Sequence, residues 1–353
     1  MDVEVLGAGD FAGLRDEWAA VARRDRRATP FLSAEWVAAW LESWEPRGEA
    51  WIVCVRDGGS LRGIAPLVVT QRAGMRVIGM LGKEPGDYWD VLAAEADRPA
   101  VAAAVAEELL RRSGRWDIAG LTCLEPDSPT ADAFGAAGLR VVRRRPIPSP
   151  CIALPGTFED YLASLPGKHR SNLRKHLRKL DGGEVELRAV SAPDEIREAM
   201  ARWRDLRSRQ WRAAGREINP THEEDGFSRF MTAVALSLVP AGAATLWEFR
   251  HEGRVAGVYL NFHDDRAFYW YLGGFDPDLA RVGLGKIAIG VGIRDSIAAG
   301  RTAFDFTRGP EPYKYWYGAA DRELQSLLVG HGGVRSRLAL AAAAAVLARR
   351  DRD

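Results

Sequence analysis

Cysteine, lysine and long apolar runs are all scarce in this chain of 353 residues. Cys54, Cys123 and Cys151 are odd in number, far apart and without C-x-x-C spacing. That pattern excludes a disulfide framework and a structural zinc site and points to a reducing, cytoplasmic setting. No run reaches the roughly 20 apolar residues of a membrane span. The nearest, residues 338–347, is alanine-rich and is followed by Arg349, Arg350 and Arg352, the pattern of a short C-terminal helix with compensating cations. The opening MDVEVLGAGD lacks the basic and apolar regions of a secretory signal. Neither an H-x-x-x-H or H-E-x-x-H pair nor a G-x-S-x-G elbow occurs, so no metal is expected and a serine hydrolase is a poor fit. An excess of one charge is missing too, with 49 Lys and Arg against 48 Asp and Glu. A surface given over wholly to nucleic acid is thereby excluded. The only lysines are 83, 168, 175, 179, 286 and 314, so each stands out against the arginine background.

What is present is enough apolar residue, 47%, for two cores. Hydrophobic spacing in the first half predicts the order β-α-α-β-β-β-α-β-α-β, with a hairpin turn at Asp57-Gly58-Gly59-Ser60. The second half repeats the theme. Strands are predicted at 185–190, 244–250, 255–263, 266–273 and 303–306, and helices at 194–213 and 286–299. Two copies of one α+β unit account for this length better than one large sheet. A linker is expected within 143–155, where Pro146, Pro148, Pro150 and Pro155 fall. The expected division is residues 1–150, 151–335 and a C-terminal helix and tail, 336–353.

Three segments carry chemistry. Lys168 to Lys179 reads KHRSNLRKHLRK, without one acid. As a helix it stacks Arg170, Arg174 and Arg178 on one face and turns Leu173, Leu177 and Leu180 inward, and its like charges call for a polyanion or for balancing acids nearby. Phe275 to Lys286, FDPDLARVGLGK, lies between a strand and a helix, where glycines let backbone N–H groups approach a phosphate. It has neither Walker spacing nor a G-x-G-x-x-G fingerprint. Phe304 to Gly318, FDFTRGPEPYKYWYG, ends a buried strand in an irregular stretch of charged and aromatic residues, where sites collect. An Arg308–Glu311 ion pair bracing a turn is the alternative.

Together with FLSAEWVAAWLESW near the start and GIAPLV in the first sheet, these segments resemble the GNAT-superfamily acyltransferases of the CelD, cellulose-biosynthesis-related type over roughly residues 31–318. That type is similar in turn to the Fem aminoacyl ligases. The resemblance implies an α+β (mixed α/β) fold of two tandem GNAT-like modules, each a mostly antiparallel mixed sheet flanked by helices. Arg281, Gly283, Gly285 and Lys286 then match the turn that cradles the donor pyrophosphate, although Arg281 and Gly283 stand one residue closer than is usual. Either acyl-CoA or aminoacyl-tRNA is implied as co-substrate, and Arg170 and Arg174 on the helix 168–179 suit the phosphates of either, tRNA included.

For the reaction, Asp305 or Glu311 would take or relay a proton. Arg308 and Lys314 would stabilise charge, and Tyr313 would protonate the leaving group. Trp270, on a strand expected to offer a backbone N–H to the reacting carbonyl, would line the channel. The acceptor, an amine of a small molecule, sugar or peptide, would be met by Asp87, Tyr88 and Asp90 and by Trp211 in a cleft between the modules, with His222 as a further base. Three readings stand: an acyl-CoA-dependent N-acyltransferase, a Fem-like transferase forming an amide from aminoacyl-tRNA in natural-product or cell-envelope assembly, and a catalytically silent accessory protein for polysaccharide export.

Overall fold

A computed structural model describes residues 1–43, 48–82, 85–215 and 225–350, the last range by backbone alone at 225 and 347–350. Trp44, Lys83 and His222 lie outside the described residues. The chain divides into two units, residues 1–147 with 323–353 and residues 148–322.

In the first unit the strands are β1 (Asp2–Leu6), β2 (Gly48–Asp57), β3 (Ser60–Arg72), β4 (Met75–Met80), β5 (Leu92–Ala93), β6 (Ile118–Leu124) and β7 (Arg140–Arg143). Helices Phe11–Arg24, Ala34–Ser43, Arg98–Arg111 and Thr130–Ala136 fall where the apolar spacing predicts them. The β2–β3 hairpin turns through Gly58 and Gly59, both at positive φ, which side chains resist and the twist of a two-residue hairpin requires. Burial of Trp18 and Val21 on one helix and of Val101, Val105 and Leu109 on another gives the sheet its cover.

In the second unit the strands are β8 (Ile147–Ala153), β9 (Val185–Val190), β10 (Ala244–His251), β11 (Arg254–His263), β12 (Ala267–Phe275) and β13 (Ala303–Asp305), in the order β8-β13-β12-β11-β10-β9. All neighbours are antiparallel except β12 and β13. In the first unit, likewise, β4 and β6 form the parallel pair, with Arg98–Arg111 as the crossover. The mixed, mostly antiparallel sheets flanked by helices are those expected. One core joins Leu173 and Leu177 of helix Gly167–Asp181 to Ile287, Ala288 and Val291 of helix Leu284–Ala298 and to Phe268, Phe304 and Phe306.

Two expectations are corrected. Residues 147–153 are a strand where a linker was expected. Prolines cannot donate to a ladder, but here the carbonyls of Pro148 and Pro150 accept from Gly309 N–H (3.0 Å) and Phe306 N–H (2.9 Å). Residues 323–335, expected with the second module, belong to the first unit. The last strand, β14 (Ala320–Gly330), pairs Ser326 to Val329 with β6 and Leu327 to Gly330 with β7. Helix Val334–Arg350 then sets Ala339 and Leu340 on Ile118 and Leu328.

Candidate active site

β12 and β13 part company. Their parallel ladder ends at Tyr269 opposite Asp305, yet β12 runs on to Phe275. The chain after Asp305 follows β8 instead, through the bonds of Phe306 and Gly309 to its prolines. A wedge opens between the strands, and the segments singled out in the sequence gather around it.

The turn before helix Leu284–Ala298 is built from its first residues. Asp276 caps the short 3₁₀ turn Pro277–Val282 by accepting from Asp278 N–H (3.1 Å), while Arg209 donates to the same carboxylate (2.9 Å). Gly283 closes the turn at φ +79° and serves as N-cap of the next helix, whose first turn no side chain caps. The leading N–H groups of a helix have no intrahelical acceptor and carry the positive end of its dipole, so they suit an anion. Lys179 donates to Val282 O (3.3 Å), and the His176 imidazole lies against Gly283. Lys286 is half-buried, and Arg281 is exposed.

The helix Gly167–Asp181 meets this turn with a different face from the one expected. Arg174 is paired with Glu159 (2.9 Å), and Arg170 donates to Ala163 O (3.4 Å), so both point toward the preceding helix Phe158–Ser164. His169, Asn172, His176 and Lys179 share the face turned to residues 282–286. His176 Nδ1 bonds Asn172 O (2.8 Å), which fixes the tautomer with its proton on Nδ1 and leaves a lone pair on Nε2. Burial, outweighing that bond, and the charges of Lys286, Lys179 and Lys175 hold its pKa below the ordinary histidine value. An open pocket of about 30 Å³ lies beside it, lined by Leu165, His169, Asn172, Leu173, Lys286, Trp316 and Tyr317.

Beyond β13, Thr307 sits at φ +58°, a conformation that β-branched residues avoid and that persists only where surroundings enforce it. Two residues do so here. Asp305, 1% exposed, accepts from Thr307 N–H (2.7 Å) with one oxygen and from Arg322 (3.3 Å) with the other. Lys314, 3% exposed, donates to Thr307 O (3.3 Å), Arg308 O (3.0 Å), Gly309 O (2.9 Å) and Glu311 Oε2 (2.8 Å). Four acceptors exhaust its three protons. Lys314 therefore shapes the loop and offers no proton to a substrate, and enclosed Asp305 does the same from the strand side. Both side chains are thus engaged by their own loop, which bears on the chemical roles expected of them from the sequence. Glu311 is exposed, and Arg308 is half-buried.

Aromatic rings fill the wedge behind the turn. Trp270 hydrogen-bonds the Tyr313 hydroxyl, whose pKa burial and then the Glu311 charge push up to about 12, so the phenol keeps its proton at neutral pH. Tyr259, 2% exposed, packs on Trp270 at 5.3 Å and against Gly273, where an added Cβ would fall 2.6 Å from its ring. Its hydroxyl has no hydrogen-bond partner and ends 3.7 Å from where a Cβ on Gly285 would lie. A buried phenol left so invites a partner entering at the helix start.

The remaining residues expected at the site lie elsewhere. Asp87, Tyr88 and Asp90 are enclosed in the first unit. Asp90 accepts from Thr130 Oγ1 (2.7 Å) and Val91 N–H (2.8 Å), burial raises its pKa, and Tyr88 packs on Phe31. All three are buried, and Tyr88 and Asp90 line a small pocket of the first unit with Arg27 and Arg98. Trp211 lies under the Arg207 guanidinium, 5.0 Å from its ring centre. Among the described residues no group of three or more His, Cys, Asp or Glu could hold a metal ion, and no helix is long and apolar enough to cross a membrane.

Residues 167–315 match the acetyltransferase (GNAT) domain family. Over nearly its whole length the chain is also similar in structure to three solved proteins. FemX is 11% identical at a TM-score of 0.65, covering 92% of this chain and 97% of its own. The C-terminal domain (DUF2156) of a putative lysylphosphatidylglycerol synthetase from Agrobacterium fabrum is 13% identical at 0.58, covering 95% and 96%. A conserved protein of unknown function from Bacteroides thetaiotaomicron is 13% identical at 0.57, covering 94% and 99%. Likeness at this identity shows the fold alone. No curated protein matches the sequence. The matched stretch lies within the second unit and holds the turn at Gly283, the basic helix and most of the aromatic loop, so the chain has a GNAT-type acyltransferase fold.

Proposed function

We propose that the second unit transfers an acyl group from acyl-CoA to an amine of a small molecule, sugar or peptide, in line with the motifs shared with the CelD type. The observation that carries this reading is the uncapped first turn at Gly283 to Lys286, ringed by His176, Lys179 and Lys286, with an unpartnered phenol behind it. Phosphate oxygens would take the leading N–H groups, and the acyl arm would enter the wedge. The neutral amine attacks the thioester carbon and gives up a proton toward Glu311. A C–N bond forms, the C–S bond breaks, and Tyr313 donates its proton to the departing sulfur, regaining one from solvent.

Calorimetric titration with coenzyme A and acetyl-CoA tests it. Lys286→Ala removes one charge-assisted contact, worth about 1.5–3 kcal/mol, and is expected to weaken binding roughly ten- to hundredfold. The pH dependence has a definite sign. Because the His176 pKa is depressed without ligand and a bound anion favours its charged form, binding takes up a proton, so affinity rises as pH is lowered toward the depressed pKa of the free protein and levels off below it. His176→Gln should flatten that slope. No binding by wild type at millimolar ligand would sink the coenzyme A reading.

Aminoacyl-tRNA is the second reading, favoured by one observation. Lys168, Arg174, Lys175 and Arg178 are exposed along the helix beside the turn, an open basic face longer than a coenzyme needs. Binding of aminoacylated tRNA with a steep salt dependence, where coenzyme A fails, would establish it.

A further inference from the structure

Trp316 is the one exposed tryptophan among the described residues, 49% accessible on a chain that buries nearly all its large apolar side chains. It does not stand alone. The His169 ring faces it at 6.4 Å between centroids with planes 15° from parallel, and both rings line the open pocket that also holds Asn172 and Lys286. Tyr317 and Leu173 are buried lining residues of the same pocket.

Each part has a chemical meaning. Two nearly parallel rings, one of them open to water, favour a flat aromatic group laid on or between them, since every nucleobase has a π-face. An exposed carboxamide such as that of Asn172 pairs an acceptor with donors at the spacing of the adenine edge, N6 and N7. Lys286 stands in the first turn of helix Leu284–Ala298, where phosphate is favoured, and so supplies the charge that a nucleotide rather than a free aromatic ring would need.

We infer that the His169–Trp316 pair, with Asn172 and Lys286, is a subsite for the adenine nucleotide end of the acyl donor. The inference rests on the donor reading above and adds to it which part of the donor is recognised and by what. Adenosine carrying phosphate is common to coenzyme A and to the 3′ end of tRNA, so the pocket alone names the shared chemistry.

Adenosine 3′,5′-bisphosphate, its guanosine and uridine counterparts, 4′-phosphopantetheine, coenzyme A and a single-stranded oligonucleotide ending in CCA would be titrated against wild type, Trp316→Ala, Trp316→Phe and Asn172→Ala. Trp316→Ala should weaken the adenosine bisphosphate by roughly ten- to hundredfold, the range of one base–aromatic stack. Trp316→Phe should hold within about threefold, and 4′-phosphopantetheine should be indifferent to both. Asn172→Ala should narrow the preference for adenine over guanine and uracil. The same loss with coenzyme A or with the CCA oligonucleotide tells which molecule brings the base. Equal binding of all three bisphosphates by wild type, or unchanged adenosine binding by Trp316→Ala, overturns the subsite. Coenzyme A binding that Lys286→Ala weakens and Trp316→Ala leaves intact overturns it while the donor reading stands. Failure of every probe to bind wild type brings down both.

Discussion

Gly283→Ala is expected to abolish donor binding, with at least a hundredfold rise in Kd, or about 2.7 kcal/mol. Two costs coincide at this position. Gly283 has φ +79°, where an L side chain costs roughly 1–2 kcal/mol, and its new Cβ would lie 2.5 Å from the His176 imidazole. The ring cannot easily retreat, because Nδ1 is tied to Asn172 O and the helix behind it is anchored by Leu173 and Leu177. The turn must therefore shift, carrying the leading N–H groups of helix Leu284–Ala298 away from the donor. Calorimetry with coenzyme A or with tRNA checks this, beside a thermal melt to show that the chain still folds. His176→Ala in the same chain removes the contact but not the strain, so the double variant should recover part of the loss. Binding by Gly283→Ala within a few-fold of wild type would mean that the donor does not use this turn.

Much of this arrangement is legible in the residues. Asp276-Pro277 announces a turn start, Gly283 its left-handed end, and the alternation of Phe304 and Phe306 a buried strand. Leu173 and Leu177 fix which side of the basic helix is buried. What the charge pattern leaves undecided is which basic stripe meets the turn, because Lys168, Arg170, Arg174, Lys175, Arg178 and Lys179 are spread around the side of that helix that is not buried. A signal was there: His169 and His176 fall at heptad spacing with Leu173 and Leu180, which places them on one flank of the buried stripe, whereas Arg170 and Arg174 lie on the other, roughly 100–160° round the helix from the histidines. The strand at 147–153 was hidden for a different reason. Proline argues against a strand through its missing N–H, and local spacing does not reveal that only its carbonyl is used. Nor does periodicity show that residues 323–353 return to the first unit, since strand pairing across some 200 positions leaves no local mark. The engagement of Asp305 and Lys314 with their own loop was hidden for a third reason. A charged pair next to aromatics looks the same in sequence whether it faces a substrate or its own backbone.

That last distinction is open to measurement at Lys314. With all its protons committed to three carbonyls and Glu311, the ammonium holds a loop whose backbone is left-handed at both Thr307 and Gly309. Lys314→Met keeps the length and the apolar stem and deletes the donors. The carbonyl of Thr307 is then left without this bond in a buried place, those of Arg308 and Gly309 in partly buried ones, while Glu311, more than half exposed, turns to water. The net cost is about 2–3 kcal/mol. For a unit of this size that corresponds to a fall of roughly 5–10 °C in the thermal midpoint. Glu311→Gln keeps an acceptor for Lys314 and should cost less than about 1 kcal/mol. Turnover would separate the two differently, because Glu311 carries the proton in the proposed reaction and Lys314 only places it. A nearly full-stability Glu311→Gln with little activity, beside a destabilised Lys314→Met, is the expected pattern. Lys314→Met with an unchanged midpoint and lost turnover would instead return the lysine to the reacting atoms.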